Sequence, residues 1–86
     1  MYHVEFKEQV VKAILDFPPK IFKQVVMKAL LLQKTPRPQD CMALKGIKDA
    51  YRVDQGEYRI LYSIEDKEKK VLIVKIAHRS EVYRHL

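Results

Sequence analysis

Four cations recur in stretches rich in β-formers: Arg52 in Tyr51-Arg52-Val53, Arg59 in Tyr58-Arg59-Ile60-Leu61-Tyr62, and Lys75 and Arg79 in Val74-Lys75-Ile76-Ala77-His78-Arg79. Side chains alternate along a strand, so each stretch divides into two faces. In the middle stretch Tyr58, Ile60, Tyr62 and Ile64 form the core face, which leaves Arg59, Leu61 and Ser63 outside. In the last one Leu72, Val74 and Ile76 are purely apolar and are predicted in the core, with Val71, Ile73, Lys75, Ala77 and Arg79 facing out. The same division buries Tyr51 and Val53 and exposes Arg52 and Asp54. Like charges gathered on one sheet face repel unless an anion lies between them. Arginine's planar fork suits a phosphate, so the chemistry indicated is the binding of a phosphate-bearing partner.

Register sharpens the expectation. A hairpin turning at Gln55-Gly56 pairs Asp54 with Glu57 and sets Arg52 directly opposite Arg59. For the next hairpin, an odd loop of five residues, Asp66 to Lys70, puts Ala77 opposite Arg59, with Lys75 and Arg79 on the diagonals. A second reading stays open, because Arg and Lys on a solvated strand face are ordinary and also discourage edge-to-edge aggregation. Tyr51, Tyr58 and Tyr62 read first as core residues, His78 as a hydrogen-bonded histidine at a strand end, and Lys20, Lys23, Lys28 and Lys34 as the wet side of a helix.

The elements that must position these residues follow from periodicity. Tyr2 to Phe6 reads as a first strand, and Lys7 to Leu15 as a helix with Val10, Val11, Ile14 and Leu15 on one side. Asp16-Phe17-Pro18-Pro19 breaks it, and Pro19 suits the first turn of a second helix over Lys20 to Leu32, with Phe22, Val25, Val26, Ala29 and Leu32 inward. Thr35-Pro36-Arg37-Pro38 ends the helical part. Strands are placed near Ala50 to Asp54, Tyr58 to Ile64 and Lys70 to Ala77. The order β-α-α-β-β-β predicts an α+β fold: a helical pair on a mainly antiparallel, four-stranded twisted sheet, closed by a short C-terminal helical turn.

Size and charge narrow the function classes. A chain of 86 residues makes a single domain, 1–86. With 17 Lys and Arg against 11 Asp and Glu, a formal charge of +6 and a pI near 9.5 favour nucleic acid, an acidic protein or an anionic membrane surface as partner. One cysteine, Cys41, forms no internal disulfide, and the start Met1-Tyr2-His3-Val4-Glu5 lacks the layout of a signal peptide. No apolar run is long enough to span a bilayer, so a cytoplasmic protein without a membrane partner is expected. His3, His78, His85 and Cys41 show no metal-ligand spacing, and two glycines rule out a glycine-rich phosphate loop, so neither metal nor cofactor is expected.

Gly56-Glu57-Tyr58-Arg59-Ile60-Leu61-Tyr62 and Ala77-His78-Arg79-Ser80-Glu81-Val82-Tyr83, taken together and in this order, resemble the RelE toxins of bacterial and archaeal toxin–antitoxin systems, within the RelE/ParE superfamily. The resemblance runs nearly end to end and includes the Pro-Arg-Pro loop and Leu44-Lys45-Gly46. It implies a metal-independent endoribonuclease that cuts messenger RNA in the ribosomal A site, where the 2′-hydroxyl attacks the adjacent phosphate. It also implies a cognate antitoxin as partner, besides ribosome and mRNA.

Carried onto this chain, the resemblance gives Arg59 the scissile phosphate, and gives Arg79 the transition state and the leaving 5′-oxygen. Tyr83 becomes the general base or a stacking platform. Arg52 matches a position usually basic in the family. Lys45, Lys48 and Lys75 are further candidates for RNA phosphates, and His85 is a secondary candidate by analogy with relatives that carry a terminal catalytic histidine. A phenol is a weak base at neutral pH unless cations favour the phenolate, so such a mechanism needs the cluster as a unit. One departure stands out: two residues after Arg52, where ribosome-dependent relatives carry a lysine, this chain has Asp54. The other activities compatible with the fold are a ParE-like block of DNA gyrase and a non-catalytic basic partner in a repressor complex.

Overall fold

The computed structural model describes residues 1–84. Its elements are β1 (His3–Phe6), α1 (Glu8–Ile14), α2 (Pro19–Leu31), β2 (Met42–Ala43), β3 (Ala50–Gln55), β4 (Tyr58–Glu65) and β5 (Lys70–His78). They form one sheet in the order β1-β5-β4-β3-β2, with β1 parallel to β5 and every other pairing antiparallel. The α+β class and the helical pair are as expected, but the sheet has five strands rather than four. The added strand, β2, is two exposed residues long and too short to display a period of two.

α2 begins at Pro19, where a missing N–H leaves no hydrogen bond unmade, and buries Val25 and Ala29, with Leu32 closing its end. α1 contributes Val10 and Ile14. These side chains pack on Val53, Ile60, Tyr62, Ile64, Val71, Ile73 and Ile76, which form the inner face of the sheet. The inner face of β4 is the one its alternation predicted.

In β5 the expected faces hold only beyond Val74. Arg59 pairs with Ala77 and Leu61 with Lys75, but Tyr62 pairs with Ile73, so Val74 is an unpaired bulge residue. Below the bulge Val71 and Ile73 are fully buried, in place of the expected Leu72 and Val74. Strict alternation run back from Ile76 fails because one extra residue reverses parity. The connecting loop is correspondingly one residue shorter than expected, with Glu65 opposite Lys70.

The Pro-Arg-Pro loop is tied to the sheet by side chains. The Tyr62 hydroxyl donates to the Pro36 carbonyl at 2.8 Å. Arg37 donates to Asp66 through both terminal nitrogens, at 3.2 and 2.9 Å, and through Nε to the Tyr51 hydroxyl at 3.0 Å. The Tyr2 hydroxyl donates to the same carboxylate at 2.7 Å. Hydrogen bonds from Arg37 and Tyr2 hold the Asp66 carboxyl down at about 2.

No helix among the described residues is long and apolar enough to cross a membrane.

Candidate functional site

The outer face of the sheet is the one without helices, and its residues are set by the β3–β4 turn. Gly56 has φ +59°, and Gly56 and Glu57 form the two-residue loop that pairs Gln55 with Tyr58. A type II′ hairpin places glycine first of its two central residues, because only the first needs positive φ. A turn centred on Gln55-Gly56 requires a less suitable residue there. The outcome corrects the expected register: Asp54, not Arg52, lies directly opposite Arg59, and Arg52 lies opposite Leu61.

That shift brings a carboxylate between the two arginines. Arg59 Nε donates to Asp54 Oδ1 at 3.1 Å, and Arg52 Nη1 lies 3.7 Å from the same oxygen. Both arginine side chains are packed, 22% and 24% exposed, whereas Asp54 is 50% exposed. Arg52 Nη2 also rests 3.0 Å from Met42 Sδ of β2. Arg79 lies just past β5, where its backbone N–H donates to the Glu57 carbonyl at 2.8 Å and its Nε to Glu57 Oε2 at 2.9 Å. The hairpin therefore supplies a counter-ion to each of the three arginines.

The segment after β5 crosses toward this face. The expected C-terminal helical turn is a pair of successive turns, with Glu81 N–H donating to the His78 carbonyl and Arg84 N–H to the Glu81 carbonyl. Val82 is fully buried, as is Leu61 on the outer side of β4, and neither belongs to the helix-side core. The Lys75 ammonium donates to the Arg84 carbonyl. Anchored in this way, Tyr83 stays 45% exposed and its ring centroid lies 5.9 Å from the Arg59 guanidinium carbon. Such a contact is a cation–π interaction.

A cleft of about 390 Å³ runs beside this pair, lined by Leu44, Lys45, Ile47 and Arg52 with Tyr83 and the β2 residues. Its apolar walls, one aromatic ring and two cations suit a nucleobase with its attached phosphate.

The structure thus brings together Arg52, Arg59, Tyr83 and Lys45, and places Arg79 at the adjoining strand end. Lys75 is on the same face but engaged with the C-terminal turns. Lys48 lies elsewhere, in a hollow with Asp49, Glu65 and Asp66 at the far end of β4. His85 lies outside the described residues. Asp54 and Glu57 were legible as acids but not as partners of the arginines, since only the turn register joins them. Among the described residues no group of three or more His, Cys, Asp or Glu side chains is placed to hold a metal ion.

Fold and site together define a small basic α+β domain with a cluster of cations on the helix-free face of its sheet. The family model described as the ParE toxin of type II toxin–antitoxin system, parDE, matches residues 2–83. RelE1 of Methanocaldococcus jannaschii, a protein named as a toxin, is 30% identical over 87 aligned positions, covering 98% of this chain and 97% of the relative. A chain of the archaeal RelE–RelB complex from Pyrococcus horikoshii superposes with a TM-score of 0.81 at 31% identity, covering 94% of this chain and 98% of that one. The RelBE2 toxin–antitoxin complex of Mycobacterium tuberculosis contains a chain matching with a TM-score of 0.80 at 29% identity, over 91% of this chain and 98% of that one. This chain belongs to the RelE/ParE superfamily of toxins of type II toxin–antitoxin systems.

Proposed function

We propose that residues 1–86 act as one RelE-type toxin domain that cleaves messenger RNA at the ribosomal A site and is neutralised by a cognate antitoxin. The observation that carries this reading is a cleft on the helix-free face lined by Arg52 and Tyr83, with Arg59 set against the Tyr83 ring. The RNA 2′-oxygen attacks the adjacent phosphorus, forming an O–P bond as the bond to the 5′-oxygen breaks. The products are a 2′,3′-cyclic phosphate and a free 5′-hydroxyl. Negative charge grows on the non-bridging oxygens, and guanidinium groups already fixed by packing stabilise it more than they stabilise the ground state. Arg59 and Arg52 face those oxygens, and Tyr83 takes the 2′-hydroxyl proton or, where it serves only as a stacking platform, leaves that proton to water; Arg79 assists the leaving 5′-oxygen, which takes its proton from water. Lys45 adds a phosphate contact along the same cleft.

The two similar solved structures described above are a RelE–RelB complex and a toxin–antitoxin complex, which supports an antitoxin as partner here. Leu15, Met27 and Leu31, each more than half exposed on the helical layer, offer such a partner apolar surface.

The test is primer extension on total RNA after brief induction. New 5′ ends inside translated messages are expected, and intact messages with normal growth would overturn the reading. The matching family model is named for ParE, so poisoning of DNA gyrase is the second reading. Inhibited supercoiling by purified gyrase with messages intact would establish it instead.

A further inference from the structure

We propose that Asp54 is an internal substitute for the substrate phosphate. Its carboxylate occupies the seat that Arg59 and Arg52 offer to RNA, and an incoming phosphate binds by displacing it. This inference rests on the phosphate-site reading given above.

The geometry of the hairpin carries the argument. Cross-strand pairing fixes Asp54 directly opposite Arg59, while Arg52 lies on the diagonal. One oxygen, Asp54 Oδ1, serves both arginines, at 3.1 Å from Arg59 Nε and 3.7 Å from Arg52 Nη1. A carboxylate oxygen and a non-bridging phosphate oxygen accept from guanidinium in the same way, so both ligands compete for the same donors. Without an anion between them the two arginines repel across the sheet.

Displacement is feasible because the three side chains differ in exposure. The arginines are mostly covered, but Asp54 is half exposed and can turn into solvent when a phosphate arrives. Half-exposed pairs of this kind are weak and yield readily. Glu57 holds Arg79 in a separate and still more exposed pair, at 60% and 61%.

The consequence is selectivity for how the RNA is presented. A strand already held over the site by other contacts is present at high effective concentration and displaces the carboxylate. Free RNA meets the same competitor without that advantage. Asp54 therefore discriminates against unpositioned RNA and is a specificity-determining residue.

The experiment measures binding of a short single-stranded RNA carrying 2′-O-methyl groups, which cannot be cleaved, to the purified toxin by fluorescence anisotropy across a salt series. Asp54→Asn and Asp54→Ala should each bind roughly two- to fivefold more tightly than the unaltered protein at low salt. Their plots of log affinity against log salt should run close to parallel with that of the unaltered protein, because the same phosphate contact forms in each once Asp54 is displaced. Arg59→Ala should weaken binding, and thermal melts confirm that each variant is folded. Equal or weaker binding by both Asp54 variants, with Arg59→Ala still defective, overturns the competitor role and leaves the phosphate site standing. Unchanged binding by Arg59→Ala overturns the phosphate site and this proposal with it. Unchanged binding by Asp54→Asn together with lost cleavage in a translating extract identifies Asp54 as a base instead, and also overturns the proposal.

Discussion

Arg59 meets two groups that arrive from different directions, Asp54 across the β3–β4 hairpin and the Tyr83 ring from the C-terminal turns. On the proposed function, removing its guanidinium takes away a fixed donor aimed at developing charge, an effect that commonly reaches about a hundredfold or more. Arg59→Ala should therefore lose nearly all message cleavage by primer extension, with a melting temperature close to that of the unaltered protein. Arg59→Lys should fall between the two, because an ammonium keeps the charge but not the two-point fork. Arg79 makes a different case. Its pairing with Glu57 is well exposed, so Arg79→Ala should reduce cleavage while leaving urea unfolding within about 0.5 kcal/mol of the starting value.

Two backbone irregularities decide what the strands present. Gly56 has open space where a Cβ would point, so Gly56→Ala meets no clash and bears only the cost of positive φ. That is about 1–2 kcal/mol, a fall in melting temperature of roughly 4–16 °C for a domain of this size. Val74 is the opposite kind of residue. Deleting it keeps Tyr62 opposite Ile73 and Leu61 opposite Lys75 and merely straightens β5. The deletion should still unfold cooperatively on heating, whereas deleting Leu72 exchanges the faces of the residues before it and should abolish the fold. These two sites also mark where the sequence stopped being legible. Helix periodicity and the alternation of β4 pointed correctly to Val25, Ala29, Ile60 and Tyr62 in the core, and the paired motifs singled out Arg59 and Tyr83, two side chains that lie in contact. The Asp54–Arg59 contact was hidden because it depends on whether the turn is centred before or after Gly56. The burial of Val71 and Ile73 was hidden because a bulge leaves no compositional trace, and β2 because two residues show no period.

Across the whole molecule, acid stability is set at the end of the sheet away from Arg59 and Arg79. The Asp66 carboxyl titrates near 2 in the folded protein, below its ordinary value of 3.8. A depressed carboxyl contributes stability above the ordinary value and loses it as pH falls from there through the folded value. Thermal melts should accordingly show stability declining between about pH 4 and pH 2, and Asp66→Asn should flatten that decline while leaving cleavage at neutral pH intact. Structural anchoring and the proposed chemistry are thereby kept apart: the Tyr2–Asp66–Arg37 network secures the Pro-Arg-Pro loop, whereas β2, the loop after it, Arg52 of β3 and Tyr83 line the cleft. The hairpin that carries Arg52, Asp54, Glu57 and Arg59 packs none of these four side chains into the main core. Each can therefore change by a single codon without repacking the interior, and natural selection can tune the potency of such a toxin up or down while its scaffold stays the same.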